Sequence, residues 1–151
     1  MLSRDPHVGI FRDFYSIQET GDLLARARGD IRSTGYQVSQ AGHSIVRCRD
    51  MSNSSVEDEE ASDDYNIINY GIGGQIEVHV DYWNADNKRA GGARTSTFLG
   101  YLSSVGDGGR TVFPGLGLSV QPERGSALFW VTVRTDEEYD SRMYHIHGVP
   151  C

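Results

Sequence analysis

A histidine and an aspartate two positions apart, His79 and Asp81, have the residue types and the spacing to share one metal ion. On a β-strand, residues i and i+2 point to the same side, so this imidazole and this carboxylate would stand next to each other. A further histidine would complete a facial triad of two histidines and one carboxylate. Such a triad suits non-haem Fe(II), because three coordination positions remain open for substrate and oxygen. An H-x-D triplet also arises by chance, so the metal hypothesis depends on the segments that surround it.

Residues 76–81 have the pattern of a strand with one apolar side and one polar side. In an antiparallel sheet, such a strand packs its apolar side against the core and leaves the other side to line a pocket or meet solvent. We therefore expect the histidine and the aspartate to lie on the polar side, in a pocket. The two predicted sides carry Ile76, Val78 and Val80 on one, and Glu77, His79 and Asp81 on the other.

The rest of the chain predicts a mainly β domain. Short strand-like segments are separated by glycine and proline, and 18 of the 151 residues are glycine, which is typical of a β-sandwich or jelly roll. The length suits one domain with a buried core. One helix is predicted over roughly 17–30, since Ser16 and Glu19 form a capping box before it. The predicted strands cover 7–14, 36–39, 44–48, 65–70, 76–81, 94–102, 111–114, 118–122, 126–133 and 144–151.

Charge and composition argue against several classes of partner. The formal net charge of -7 comes almost entirely from residues 56–64, which carry six carboxylates and no basic residue, so the remainder is nearly neutral. Because no basic stripe is present, we expect no nucleic-acid partner. No apolar run reaches membrane-spanning length, so we expect no membrane association, and the first residues lack the apolar core of a signal peptide. The two cysteines, Cys48 and Cys151, form neither a disulfide framework nor a thiolate metal site.

Five short motifs occur in order between residues 70 and 145. Each is unspecific by itself, but their order and spacing together resemble the catalytic domain of collagen-type prolyl 4-hydroxylases, which use Fe(II) and 2-oxoglutarate. The resemblance is strong over residues 65–145 and fainter over residues 6–46. The motifs are Tyr70-Gly-Ile-Gly-Gly-Gln, His79-Val-Asp, Gly108-Gly-Arg-Thr-Val-Phe-Pro, Gly125-Ser-Ala-Leu-Phe-Trp, and Asp140 followed five positions later by His145.

This resemblance implies a double-stranded β-helix, or jelly roll, with one or two supporting N-terminal helices. It assigns the iron ligands and catalytic residues to His79, Asp81 and a distal histidine. Both His145 and His147 are candidates, because residues i and i+2 of one strand face the same way. The resemblance favours His145, since the family places the distal ligand five positions after an aspartate, here Asp140.

The resemblance also assigns a co-substrate pocket. It makes the hydroxyls of Tyr70 and Thr111 hydrogen-bond donors to the carboxylates of 2-oxoglutarate, whereas a purely structural interpretation makes them a core aromatic and a strand residue. The family adds a basic residue, usually lysine, on a strand beyond the distal histidine. The sole lysine of these 151 residues, Lys88, lies in a different loop. We therefore expect residues 1–151 to form a single dioxygenase domain that is truncated before its last strand.

The function that the resemblance implies is that of a procollagen-proline 4-dioxygenase. It would hydroxylate peptidyl proline with Fe(II), O₂ and 2-oxoglutarate, and L-ascorbate would restore over-oxidised iron. The same resemblance implies a proline-containing or collagen-like substrate, a possible partner subunit and the endoplasmic reticulum lumen. An alternative is an impaired or inactive relative that keeps the fold and the metal ligands as a binding or structural subunit. A jelly-roll lectin or cupin-like module explains the strands but not the ordered motifs.

Overall fold

The chain folds as a mainly β protein with two antiparallel sheets, as predicted. The computed structural model describes residues 1–27, 40–49, 66–71, 75–82, 95–136 and 138–149. Within these ranges it has ten strands and one α-helix. The elements are β1 (Ser3–Arg4), β2 (His7–Phe11), α1 (Ile17–Ala27), β3 (Gln40–Arg49), β4 (Asn66–Gly71), β5 (Ile76–His79), β6 (Ser96–Tyr101), β7 (Arg110–Phe113), β8 (Leu118–Val120), β9 (Ala127–Val131) and β10 (His145–Val149).

In each sheet, strands that are distant in the sequence pair with one another. The larger sheet has the strand order β1-β2-β9-β6-β3-β4, and the smaller has the order β5-β10-β7-β8. Each pairing within them is antiparallel. Because β10 lies between β5 and β7, the end of the described chain pairs with two segments from its middle. The predicted strand at 36–39 lies outside the described residues.

The helix begins where the capping box predicts. The Ser16 hydroxyl accepts a hydrogen bond from the Glu19 backbone N–H at 3.1 Å, and the Glu19 carboxylate accepts one from the Ser16 N–H at 2.7 Å. Thr20 is fully buried, and its hydroxyl accepts a hydrogen bond from Arg124 Nε at 2.7 Å, which ties α1 to the segment before β9. Residues 28–30, the predicted end of the helix, lie outside the described residues. Within the described residues, no helix has the length and apolar character that a membrane crossing requires.

A single core fills the space between the two sheets. In β6, the side chains of Thr97, Leu99 and Tyr101 are all buried on one face of the strand. Phe113 of the smaller sheet meets Trp130 of the larger one edge to face, with ring centroids 5.4 Å apart. Fully burying a large apolar side chain contributes roughly 1.5–3 kcal/mol, so contacts of this kind hold the sheets together. The buried core consists of Val8, Leu99, Tyr101, Phe113, Val120, Leu128, Trp130 and Met143.

The predicted alternation of residues 76–81 is wrong in part. The strand ends at His79, before the aspartate, and Val78 is 54% exposed although it was expected on the apolar side. The physical reason is an irregular pairing with β10, in which His145 pairs with His79 but His147 pairs with Ile76. This pairing accommodates one additional residue of β5, as in a β-bulge. A bulge interrupts the regular alternation of side chains between the two faces of a strand.

Candidate metal centre

His79 and His145 lie directly opposite each other on neighbouring strands. They are paired in the register of β5 and β10, and their ring centroids are 4.3 Å apart. Residues directly opposite in an antiparallel pair have their side chains on the same face of the sheet, close enough to interact. The register of these two strands therefore brings the first and the distal predicted ligands together.

Asp81 completes the group that the sequence predicted. Its Oδ1 atom lies 3.4 Å from Nε2 of His79, and its Oδ2 atom lies 3.7 Å from Nε2 of His145. The hydroxyl of Thr97 on β6 donates a hydrogen bond to Oδ2 at 2.7 Å. The structure thus brings together the three residues predicted as metal ligands, between the two sheets. That they bind a metal ion stays a prediction.

The two histidines are oriented as metal ligands usually are. Nδ1 of His79 lies 2.8 Å from the carbonyl oxygen of Glu77, and Nδ1 of His145 lies 2.9 Å from that of Met143. A carbonyl can only accept, so Nδ1 carries the proton in each ring, and the lone pair of the neutral imidazole is on Nε2. Both Nε2 atoms lie beside the carboxylate of Asp81.

The donor set fits a divalent transition metal. Nε2 of His145 is buried and has no hydrogen-bond partner among the described residues. A buried polar atom without a partner is costly, and such atoms are uncommon in folded proteins. A metal ion between His145, His79 and Asp81 would satisfy this nitrogen, and two imidazoles with one carboxylate are the donors of a non-haem Fe(II) site.

The ionisation states of these groups also suit a metal. Burial lowers the pKa of His145, so its ring is neutral near pH 7. Burial also opposes ionisation of Asp81, but the neighbouring imidazoles and the hydrogen bond from Thr97 outweigh it and hold the pKa of that carboxyl far below its usual value. For His79, burial lowers the pKa, but the neighbouring carboxylate of Asp81 and the carbonyl of Glu77 outweigh it and raise the pKa. Metal binding needs a carboxylate and neutral imidazoles, so it would displace any proton that His79 holds.

One side of the centre is apolar and dry, and the other side is accessible. The ring of His145 is fully buried and packs against Phe113 and Trp130, with centroid distances of 5.3 and 4.9 Å. By contrast, the side chain of His79 is 32% exposed and that of Asp81 is 13% exposed. A ligand could therefore approach from the side of β5.

His147 lies in the same cluster as His145. Its ring is 4.7 Å from that of His145 and 5.4 Å from that of His79, centroid to centroid. One ligand atom from each of the three histidines lies within 4.8 Å of the others. The sequence offered His145 and His147 as alternatives for the distal ligand, and their positions do not exclude either of them.

Of the two residues predicted for the co-substrate, one can be located fully. Thr111 on β7 is buried, and its Oγ1 atom accepts a hydrogen bond from the hydroxyl of Tyr101 at 2.9 Å and lies 3.3 Å from Nδ1 of His147. The threonine therefore faces the cluster of histidines. Tyr70 belongs to β4, but its side chain lies outside the described part of the structure.

The spacing of Asp140 and His145 has a structural reason. Asp140 caps a 3-10 turn, Ser141–Met143, by accepting a hydrogen bond from the backbone N–H of Arg142 at 2.9 Å. The guanidinium of Arg142 also binds the carboxylate, at 2.6 Å for the shortest pair, and holds the pKa of Asp140 below its usual value. The turn ends at Met143, whose carbonyl oxygen binds Nδ1 of His145. Asp140 thus shapes the segment that orients the distal histidine.

Sequence reasoning missed Thr97 and Tyr101. Both are polar residues on the inward face of β6, where Leu99 between them is a core residue. A polar side chain at an inward position of a strand is the signal that could have identified them. The carbonyl oxygens that orient the histidines carry no such signal, because backbone positions depend on the fold.

Comparison with known proteins finds relatives of this chain, although no family model matches it. Prolyl 4-hydroxylase subunit alpha-1 of Gallus gallus is 36% identical over 135 residues, which cover 84% of this chain and 26% of that protein. The same subunit of Homo sapiens is 36% identical over 134 residues, covering 83% and 24%. Prolyl 4-hydroxylase subunit alpha-2 of Caenorhabditis elegans is 32% identical over 130 residues, covering 78% and 24%.

Solved structures share the fold. One is the crystal structure of the viral collagen prolyl hydroxylase of Paramecium Bursaria Chlorella virus-1 in its 2OG complex. The match covers 95% of this chain and 87% of the viral chain, with a TM-score of 0.61 and 20% sequence identity. A shortened form of the same viral enzyme gives a TM-score of 0.58 at 15% identity, covering 95% and 82%. The chain spans about a quarter of the length of the curated relatives it matches. The predicted resemblance is confirmed, and the chain is related to the prolyl 4-hydroxylase alpha subunits over most of its own length.

Proposed function

We propose that this chain binds Fe(II) through His79, Asp81 and His145 and hydroxylates proline in a peptide, with 2-oxoglutarate as co-substrate. The observation that carries the proposal is the convergence of these three side chains between the sheets, where Nε2 of His145 is buried without a partner among the described residues. The relatives are prolyl 4-hydroxylase subunits by name, which supports the same reaction for this chain.

The proposal includes the finer fold. We infer a double-stranded β-helix that makes residues 1–151 one dioxygenase domain. Two antiparallel sheets that enclose a common core support it, as does the likeness to the viral collagen prolyl hydroxylase. A β-helix of this kind holds ligands from different strands at one end of its core, which suits the positions of β5 and β10.

Each residue of the centre then has a definite role. Bound Fe(II) would supply the redox chemistry that couples O₂ and 2-oxoglutarate to hydroxylation of a C–H bond. Asp81 supplies the negative charge, and the carbonyl oxygens behind His79 and His145 hold the rings in one orientation. We propose that the hydroxyl of Thr111 donates a hydrogen bond to a carboxylate of the co-substrate and that the hydroxyl of Tyr70 does the same.

Substrate, reductant and location follow from the relationship. A proline-containing or collagen-like peptide is the proposed substrate, because the relatives and the viral neighbour are named for prolyl and collagen prolyl hydroxylation. L-ascorbate as reductant, a partner subunit and residence in the endoplasmic reticulum lumen are proposals that rest on the same relationship. The exposed edge of His79 leaves space for a peptide to approach.

The first experiment measures binding and turnover separately. Anaerobic Fe(II) titration followed by 2-oxoglutarate should give a visible charge-transfer absorption, and a proline-rich peptide should then be hydroxylated on admission of O₂. Asp81→Ala should abolish both. Asp136→Ala is the matched control, because Asp136 is exposed and its contacts within the described residues, with Arg134 and the backbone N–H of Glu138, are local. Fe(II) retained in the Asp81 variant would contradict the proposed centre.

The same experiment tests the alternative of an inactive relative. Such a protein would bind Fe(II) and give the absorption change but would release no hydroxyproline. No observation within the described residues favours this alternative over the enzyme.

A further inference from the structure

His147 is positioned to contribute to the metal centre and not only to its surroundings. One ligand atom from each of His79, His145 and His147 lies within 4.8 Å of the others. Two nitrogens bound to one ion at about 2.1 Å are at most about 4.2 Å apart, so small rotations of the rings would bring all three onto one ion. His147 is 4% exposed, so its ring is buried together with that of His145.

The hydrogen bonds of the three imidazoles follow one pattern. Nδ1 of His79 and Nδ1 of His145 bind backbone carbonyl oxygens, at 2.8 and 2.9 Å. Nδ1 of His147 lies 3.3 Å from the hydroxyl of Thr111, which is itself held by the hydroxyl of Tyr101 at 2.9 Å. A metal-binding histidine usually has its second nitrogen bound by the protein in this manner, because that contact fixes the ring toward the ion.

The pairing of β5 and β10 is irregular beside His147. In a regular ladder His147 would lie opposite Glu77, but it pairs with Ile76 while His145 pairs with His79. The bulge therefore adds one residue of β5 beside His147. The ring centroids of His147 and His79 are 5.4 Å apart.

The geometry points to His147 as a fourth protein ligand, which turns the facial triad into a set of three histidines and one aspartate. The inference rests on the proposed function, because it concerns the same centre. Three imidazoles and one carboxylate can hold Zn(II) or Co(II) in a tetrahedral site without any further ligand. A six-coordinate ion with four protein ligands keeps two open positions, so a chelating co-substrate and oxygen can bind together only when His147 leaves.

Co(II) binding to the full 151-residue chain tests this inference, because four-coordinate Co(II) absorbs visible light far more strongly than six-coordinate Co(II). The wild-type chain should show strong bands that weaken when 2-oxoglutarate is added. His147→Ala should lose the strong bands and bind Co(II) at least roughly ten-fold more weakly, since removal of even an outer partner of a ligand costs about 10–100-fold. His147→Asn keeps a hydrogen-bonding group near Thr111 and provides a second variant with a smaller risk to folding.

A histidine outside the cluster provides the control for the His147 variants. His7→Ala removes a half-buried histidine of β2 outside the cluster and should leave the Co(II) spectrum unchanged. A weak, six-coordinate spectrum of the wild type, or unchanged affinity in a folded His147 variant, would overturn the fourth ligand. If Asp81→Ala still loses Co(II) in that case, the three-ligand centre of the proposed function stands. If Asp81→Ala retains Co(II) at full affinity, the proposed function fails as well.

Discussion

The N-terminus of α1 and the metal centre between β5 and β10 both depend on polar side-chain contacts, but the contacts span different lengths of chain. In α1 the partners are Ser16 and Glu19, three positions apart. In the centre, Thr97 and Asp81 are 16 positions apart, and Thr111 and His147 are 36 apart. The first set forms whenever the local backbone becomes helical, whereas the second exists only after segments distant in the sequence have assembled into sheets. Local sequence patterns therefore specify the helix cap, whereas the pairing of strands specifies the metal centre.

The largest expected effect concerns the core beneath the centre. Trp130→Ala should lower the free energy of unfolding by about 3–5 kcal/mol, because Trp130 is fully buried between the sheets and packs against Phe113 and His145. Urea denaturation measures the change. Phe11→Ala is the control, since Phe11 is 49% exposed and should cost much less. Equal losses for the two variants would contradict the expectation that the buried Trp130 contributes more to stability than the exposed Phe11.

A second effect should appear in metal affinity without loss of the fold. Asp81→Asn keeps the size of the side chain and an oxygen for the hydroxyl of Thr97, but removes the charge. We expect metal affinity to fall by about a hundred-fold, or roughly 2.7 kcal/mol, as measured by Co(II) titration. Asp136→Asn should leave affinity unchanged. A variant that binds metal as well as the wild type would show that the carboxylate is not a ligand.

A smaller effect is expected at the turn before β10. Asp140→Asn weakens the contact with Arg142 that shapes the turn carrying the carbonyl of Met143, so metal affinity should fall by roughly ten-fold.

Because the folded-state pKa of Asp140 is lowered, the carboxylate stabilises the fold above the ordinary pKa, and this stability is lost as the pH falls through the lowered value. The stability difference between wild type and variant, measured by urea denaturation at several pH values, should therefore be present at pH 7 and shrink in acid. A difference that is independent of pH would contradict this role.

The smallest effect should be confined to the helix. Ser16→Ala removes the hydroxyl that caps α1 and should destabilise the chain by about 1 kcal/mol. Metal affinity should stay unchanged, because the capping box makes no contact with the centre. A double-mutant cycle with Glu19→Ala should show coupling between the two residues, since their hydrogen bonds are reciprocal. A clear loss of metal affinity in Ser16→Ala would show that the two regions are linked.

Elements that depend on near neighbours along the chain are predictable from local patterns. The mainly β architecture, the start of α1 at Ile17 and most of the described strands agree with local patterns. The ordered motifs predict the resemblance to the prolyl 4-hydroxylases, and that resemblance predicts His79, Asp81 and His145 as the metal ligands. These predictions succeed because capping, turns and short motifs are encoded within a few positions of the chain.

How these elements pack against one another depends on the assembled sheets. The bulge that leaves Val78 exposed depends on the pairing of β5 with β10. The same pairing places His147 beside His145 and His79, where the sequence offered His147 only as a substitute for His145. Thr97 and the carbonyl oxygen of Met143 also enter the centre through folding, from a second sheet and from a turn. Strand register is set by the packing of whole sheets, which no pattern within a single strand contains.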